Sequence, residues 1–147
     1  MFGDLSPEEI DQFLQQQRIG RLGTTGNGKV YITPVAYAYD GVYVYIVSHE
    51  GLKVQLLRQH PMACLEVDDI HSPVNWRSVL IHGVYEEITD VAERERVIDL
   101  VTGDRDPALP TSVARYLDER DQIVAYRLRI HERTGRYEHD DARGPRF

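Results

Sequence analysis

Short apolar runs alternate with polar residues along most of the chain, and this two-residue period predicts β-strands. Asn27-Gly28 and Asp40-Gly41 stand between consecutive runs and are typical of tight hairpin turns, so the first three strands are expected to form an antiparallel meander. The predicted strands cover 19–25, 30–39, 42–48, 63–69, 77–88 and 123–130, with an extension of the last through 134–138 left open.

Helical spacing of apolar residues occurs in four further segments. The sequence SPEE at 6–9 offers a Ser N-cap, a Pro at the first helical position and a Glu that completes a capping box. Ile10, Phe13 and Leu14 then share one face of a helix that is expected to end near residue 18. The other predicted helices cover 51–60, 91–101 and 112–119.

Six short strands at hairpin spacing, with helices at the ends and at one crossover, predict an α+β, mainly β, fold. The expected architecture is a six-stranded antiparallel barrel with peripheral helices. No internal repeat or linker divides the 147 residues. We therefore expect a single domain over 1–147, with a charged and frayed tail from about 139 to 147.

Composition and charge narrow the class of protein. The chain is 41% hydrophobic and 28% charged, which is typical of a soluble globular protein. A net charge of -7 argues against a nucleic-acid surface, which is usually basic. No apolar run is long enough to span a bilayer and the first ten residues lack the features of a signal peptide, so we expect a cytoplasmic protein.

Cysteine and histidine give no sign of a metal site. Cys64 is the only cysteine, which excludes an intramolecular disulfide, and its apolar neighbours favour a thiol in the core over a nucleophile. The six histidines are scattered without metal-ligand spacing, so no metal is expected. Tyrosines at alternate positions between 31 and 45 favour a barrel wall or a dimer contact over a catalytic set.

The stretch from Ser48 to Lys53 combines the features of an anion site. A strand delivers the Ser48 hydroxyl, Gly51 and Lys53 to a helix N-terminus, where backbone donors and positive charge suit a phosphate group. The spacing does not match a Walker A loop, which is longer. The alternative is an ordinary strand-turn-helix connection with a solvated lysine.

Two oddities within the predicted strands indicate further parts of a site. Pro34 lies inside the second strand and cannot donate to a ladder, so the strand is either an edge or distorted there. Backbone groups of Thr33, Val35 or Ala36 could then face a planar ligand, although Pro34 could equally serve only to protect an edge. Where the fifth strand begins, Trp76, Arg77 and Ser78 offer an aromatic ring, a forked donor suited to phosphate and a hydroxyl.

The order of three segments resembles a known family. TPVAYAYDGVYVYIVSHEGLKVQLLRQHP, ACLEVDD and WRSVLIHGVYEEI together are similar to the FMN-binding split barrel of the pyridoxamine 5'-phosphate oxidase-like superfamily. Within it, the branch of small flavin-nucleotide-binding proteins that includes nitroimidazole-resistance proteins is the nearest in pattern. The resemblance covers about 10–138, and Thr134-Gly135-Arg136 also resembles a signature of this branch.

The resemblance implies a homodimer that binds two FMN molecules at the subunit interface. Three groups of residues match the positions that hold the cofactor in the family. The phosphate would lie at Ser48, Gly51 and Lys53; the ring would lie beside Thr33, Pro34, Val35 and Ala36; and the interface contacts would come from Trp76, Arg77 and Ser78.

The resemblance also bounds the activity. True pyridoxamine phosphate oxidases carry a C-terminal arginine and histidine that grip the substrate, whereas Arg129 and His131 fall inside the expected closing strand, which argues against vitamin B6 oxidation. The leading hypothesis is an FMN-dependent oxidoreductase of undefined substrate, in which the flavin carries the chemistry and no residue is named as catalytic. The alternatives are a non-catalytic protein that binds or senses FMN, haem or deazaflavin, and a cofactor-free interaction module.

Overall fold

The computed structural model describes residues 1–103 and 122–140, and these residues form seven strands and three helices. All six predicted strands are present with bounds close to those expected, and the last continues without a break to Glu138. The elements, in chain order, are β1 (Phe2–Asp4), α1 (Pro7–Gln16), β2 (Ile19–Gly26), β3 (Lys29–Tyr39), β4 (Tyr43–His49), α2 (Leu52–Gln59), β5 (Met62–Ser72), β6 (Asn75–Glu87), α3 (Val91–Thr102) and β7 (Ile123–Glu138).

The strands form one antiparallel sheet in the order β1-β7-β4-β3-β2-β5-β6, and β6 also pairs with β7. That last pairing joins the two ends of the sheet, so six strands from β2 to β7 form a ring. The predicted α+β, mainly β, class is therefore confirmed. The short strand β1 was not predicted; it pairs with the C-terminal end of β7, where Phe2 lies opposite Glu138.

Local signals account for the start of α1 and for the first hairpin. The Ser6 hydroxyl accepts from the Glu9 amide at 3.2 Å, and the Glu9 carboxylate accepts from the Ser6 amide at 2.9 Å, so the predicted capping box is present. The helix ends at Gln16 because Gln17 turns to an extended conformation. Asn27 and Gly28 have φ angles of 54° and 73°, as a tight two-residue hairpin requires.

Two apolar clusters bury the strand faces. The larger one fills the ring, where Phe13 and Leu14 of α1 pack against strand residues such as Leu65 and Ile81, all fully buried. The smaller one lies outside β4 and β7 and is covered by α3, whose predicted buried residues Val97, Ile98 and Val101 are confirmed. Strand β4 contributes to both clusters, because its successive side chains point to opposite faces of the sheet.

Two expectations about burial are wrong. Cys64 is only half-buried and lies on the outer face of the sheet, because its neighbours Ala63 and Leu65 take the inward positions of β5. His139 is not frayed: its side chain is buried and its amide donates to the Met1 carbonyl at 2.8 Å. Residues 141–147 of the predicted tail, and the helix predicted over 112–119, lie outside the described residues.

No helix within residues 1–103 and 122–140 is long and apolar enough to cross a membrane. Over the same two ranges, no three side chains of His, Cys, Asp or Glu come together in a way that could hold a metal ion.

Gly83 is required by the close approach of β6 and β7. A Cβ at this position would lie 2.8 Å from the Arg129 carbonyl oxygen, a backbone atom that cannot rotate away. We expect Gly83→Ala to lower the free energy of unfolding by about 3 kcal/mol, the cost of overpacking at a rigid position. Denaturant unfolding measures this loss.

Gly23→Ala is the matched control for this prediction. Its Cβ would meet the nearest backbone atom at 3.6 Å, an ordinary contact, so the unfolding midpoint should shift little. Equal midpoints for the Gly23 and Gly83 variants would contradict the steric argument.

Candidate functional site

The ring of strands opens between β3 and β4. The two strands pair only over Tyr37–Tyr39, opposite Val44–Ile46. Continued pairing would place Ala36 and Val35 opposite Val47 and Ser48, yet those residues of β4 pair with β7 alone. Up to Ala36, β3 is therefore paired on one side only, with β2, among the described residues.

The open side of β3 offers backbone donors and acceptors. Tyr37 donates its amide toward the β2 side, to the Arg18 carbonyl at 3.0 Å. Because successive residues of a strand direct their amides to opposite sides, the Ala36 amide and carbonyl and the Pro34 carbonyl face the opening. Pro34 thus lies on a free edge, where its missing N–H leaves no ladder bond unmade.

Helix α2 begins directly after β4, the strand that turns away from β3. Gly51 is its N-cap, with extended backbone and no side-chain hydrogen bond to the first turn, so the first amides of the helix carry no side-chain cap. Lys53 stands in that first turn and is half-buried. Burial lowers the pKa of Lys53, and no carboxylate of the described residues lies in ion-pair distance of it. A positive charge held this way favours an anionic ligand.

The Ser48 side chain lies in the core, and not at the N-terminus of α2 where the sequence predicts it. Its side chain is 3% exposed and points into the ring, where its hydroxyl oxygen lies 2.9 Å from that of Tyr126. The hydroxyl is therefore already hydrogen-bonded to a core residue. A contact between Ser48 and a phosphate stays a prediction.

The three residues at the start of β6 do not share a face. Ser78 points outward and donates to the Glu66 carboxylate at 3.1 Å, and Trp76 is outward as well. Arg77 points inward, with its guanidinium 4.6 Å from the centre of the Phe13 ring and 3.6 Å from the Asp69 carboxylate.

Within one chain, the start of β6 is far from the open edge of β3. The strands β2 and β5 lie between them, so the separation across the sheet is three strand spacings, about 14 Å. The β3 edge and the start of α2 are thus linked through β4, which leaves β3 beyond Ile46 and leads into Gly51. Trp76, Arg77 and Ser78 lie across the sheet from that edge. The roles of these three residues stay predictions.

An outer groove of about 390 Å³ was not predicted. Its apolar wall includes Val30 and Ile32, which are 70% and 68% exposed. The signal that could have found it is the alternation of Val30, Ile32 and Pro34 on one face of β3. The groove is lined by Arg21, Gly23, Val30, Ile32, Cys64, Glu66, Asp68 and Leu80.

Arg21, Glu66 and Asp68 form a charged cluster at one end of this groove. Arg21 lies 2.6 Å from the Asp68 carboxylate and 3.2 Å from the Glu66 carboxylate. Burial, and then the hydrogen bond and charge of Asp68, raise the pKa of Glu66. The cluster is internally paired and gives the otherwise apolar groove a defined polar end.

Comparison with known proteins identifies the family. A sequence model of the family described as pyridoxamine 5'-phosphate oxidase matches residues 6–137. The chain belongs to this family. The resemblance inferred from the order of the sequence segments is thereby confirmed.

The chain is also similar to a curated sequence and to solved structures. The uncharacterized protein RA0666 of Rhizobium meliloti (strain 1021) is 30% identical over 95 residues, which make up 63% of each chain. An FAD-binding protein from Mesorhizobium loti is 26% identical with a TM-score of 0.77, over 95% of this chain and 98% of that one. A proposed 5-nitroimidazole antibiotic resistance protein from Bacteroides thetaiotaomicron is 16% identical with a TM-score of 0.72, over 93% of this chain and 87% of that one.

Proposed function

We propose that the protein is an FMN-binding flavoprotein that acts as an oxidoreductase on a small molecule. The observation that carries this proposal is the opening between β3 and β4. There β4 leaves the free edge of β3 and leads directly into an uncapped helix N-terminus with a half-buried lysine. The family match and the FAD-binding relative from Mesorhizobium loti support a flavin as the ligand.

The free edge of β3 and the first turn of α2 have groups that suit the two ends of FMN. A phosphate needs donors and a positive charge, which the first turn of α2 and Lys53 provide. The pyrimidine edge of a flavin ring has alternating donors and acceptors, and the Ala36 amide with the Pro34 and Ala36 carbonyls can pair with such an edge. Thr33 and Val35 hold this edge in place because their backbones bond toward β2.

When bound, FMN would supply the hydride or electron transfer, and the protein would supply binding, orientation and electrostatics. Lys53 would offset the phosphate charge. The Ala36 amide would donate to the ring and stabilise negative charge that develops on it during reduction. The apolar interior beneath Val35 would exclude water from that face of the site.

The working unit in this proposal is a homodimer with the flavin at the subunit interface. The outer groove presents Val30, Ile32 and Leu80 to solvent in one chain, and a second copy would cover them. A two-fold interface would also carry Trp76 and Ser78 of one subunit toward the β3 edge of the other, across a distance that one chain does not bridge.

The visible absorption spectrum of the freshly purified protein tests this proposal. We expect a flavin spectrum, or saturable binding of FMN at one per subunit if the protein is colourless. Parallel titration with FAD, and chromatography of any released flavin, distinguish the two cofactors. Reduction of the bound flavin by NADH or NADPH would support an oxidoreductase. Tight binding without reduction would favour a storage or sensing role, and the absence of any flavin binding would contradict the proposal.

A further inference from the structure

The N-terminal strand β1 builds an aromatic contact on the outer face of the sheet. Phe2 and Trp76 both lie opposite Glu138 of β7, one on each side of it. Two strand spacings, about 10 Å, separate their backbones. Their ring centres are nevertheless only 6.2 Å apart, at an interplanar angle of 70°, so the two side chains lean toward each other over β7 in an edge-to-face contact.

The Phe2 ring also contacts Arg136 of β7. The Arg136 guanidinium lies 5.0 Å from the centre of the Phe2 ring, and Asp4 of β1 pairs with Arg136 at 3.6 Å. The backbone of β1 is held to β7 at each end, by the Met1 and His139 pair and by the Leu5 amide, which donates to the Gly135 carbonyl at 2.8 Å. These contacts favour the orientation in which the Phe2 ring faces Trp76.

Core packing does not explain this arrangement. Phe2 is 56% exposed, and the ring contacts that the structure describes for it are those with Trp76 and Arg136. An exposed phenylalanine on a three-residue edge strand removes little apolar surface from water. What the contact does achieve is to restrict the rotamers of the indole, because an aromatic pair of this geometry favours one orientation of each ring.

We propose that Phe2 is a positioning residue that holds the Trp76 indole in the orientation in which it contacts the flavin of the partner subunit. This inference rests on the proposed function. An indole that is already ordered loses less side-chain entropy on binding, so the affinity for the cofactor rises without any contact between Phe2 and the ligand.

The test uses Trp76 as its own reporter, because it is the only tryptophan in the chain. In the ligand-free protein, Phe2→Ala and Phe2→Leu should each broaden the distribution of Trp76 fluorescence lifetimes and lower the anisotropy of the emission. On titration with FMN, both variants should bind about three- to tenfold more weakly than the wild type, the range expected for loss of one aromatic pair. Quenching of Trp76 at saturation should also be weaker.

Phe2→Tyr keeps the ring and should restore wild-type affinity and quenching. Val42→Ala removes another exposed apolar side chain, 61% exposed in the turn before β4, and should change neither readout. FMN binding with unchanged affinity and quenching in Phe2→Ala would overturn this inference while the proposed function stands. Loss of Trp76 order in the variants together with no FMN binding by the wild type would instead contradict the proposed function, and with it the role of Phe2 toward the flavin.

Discussion

In the proposed homodimer, Ile32→Glu is expected to separate the two subunits and to abolish stable flavin binding. Ile32 lies in the wall of the outer groove and is 68% exposed in a single chain. In a two-fold interface, two copies of the new carboxylate would be removed from water close to the Glu66 and Asp68 carboxylates. We expect the dimer dissociation constant to rise by at least about 100-fold, which sedimentation velocity over a dilution series measures.

Val91→Glu is the matched control for this substitution. Val91 is 74% exposed at the first position of α3, where an acidic side chain is favourable, so the dimer should persist. A dimer of undiminished affinity in Ile32→Glu would contradict the assignment of the groove to the interface. A monomer that still retains FMN would show that one subunit suffices for the site.

Features determined by neighbouring residues were predictable from the sequence. The capping box at Ser6 and Glu9 and the turn at Asn27 and Gly28 depend on contacts within four residues, and the structure contains both. The strand β1 was missed because its pairing partner lies at the other end of the chain, and its three residues carry no periodic pattern of their own.

The predicted ligand contacts at the start of β6 conflict with the strand predicted there. Trp76, Arg77 and Ser78 are consecutive in a strand, so their side chains alternate between the two faces of the sheet. Arg77 accordingly lies against Phe13 in the interior while its neighbours point outward. A consecutive motif predicted to lie on a strand therefore cannot direct all its side chains at one ligand.

Assignment to the inner or outer face is harder when both faces are apolar. Cys64 follows Ala63 and precedes Leu65, and nothing in that run distinguishes the core side from a groove. For the same reason the groove was not predicted: Val30 and Ile32 are exposed, yet they are residue types that usually occur in buried strands. Pairing partners resolve it, since Gly23 of β2 lies opposite both Ile32 and Cys64.

Lys53→Met is expected to weaken FMN binding by about 10- to 100-fold without destabilising the free protein. A hydrogen bond to a charged group contributes about 1.5 to 3 kcal/mol, which corresponds to this loss of affinity. In the free protein, burial lowers the pKa of Lys53 below its ordinary value of 10.5, so the charge opposes folding rather than favouring it. Methionine keeps the apolar stem and removes that cost. Isothermal titration with FMN and denaturant unfolding of the ligand-free protein measure the two effects.

Lys29→Met makes the same change of charge at the only other lysine, which is exposed on the β2–β3 hairpin, and should leave FMN affinity unchanged.

The pH dependence of the stability of the free protein gives a second check on Lys53. Its folded pKa is lowered, so the unfolded chain binds the proton more tightly, and the free wild-type protein should gain stability relative to Lys53→Met as the pH rises from that lowered pKa toward 10.5.

Unlike the stability of the free protein, FMN affinity should fall as the pH rises above the lowered pKa of Lys53. Binding requires the protonated lysine and the phosphate dianion, so it should be tightest between about pH 6, where a phosphate monoester loses its second proton, and the lowered pKa of Lys53 in the free protein. Above that pKa the affinity of the wild type should fall, while that of Lys53→Met should stay level. Wild-type affinity in Lys53→Met, or the same alkaline decline in both proteins, would place the phosphate elsewhere than at the first turn of α2.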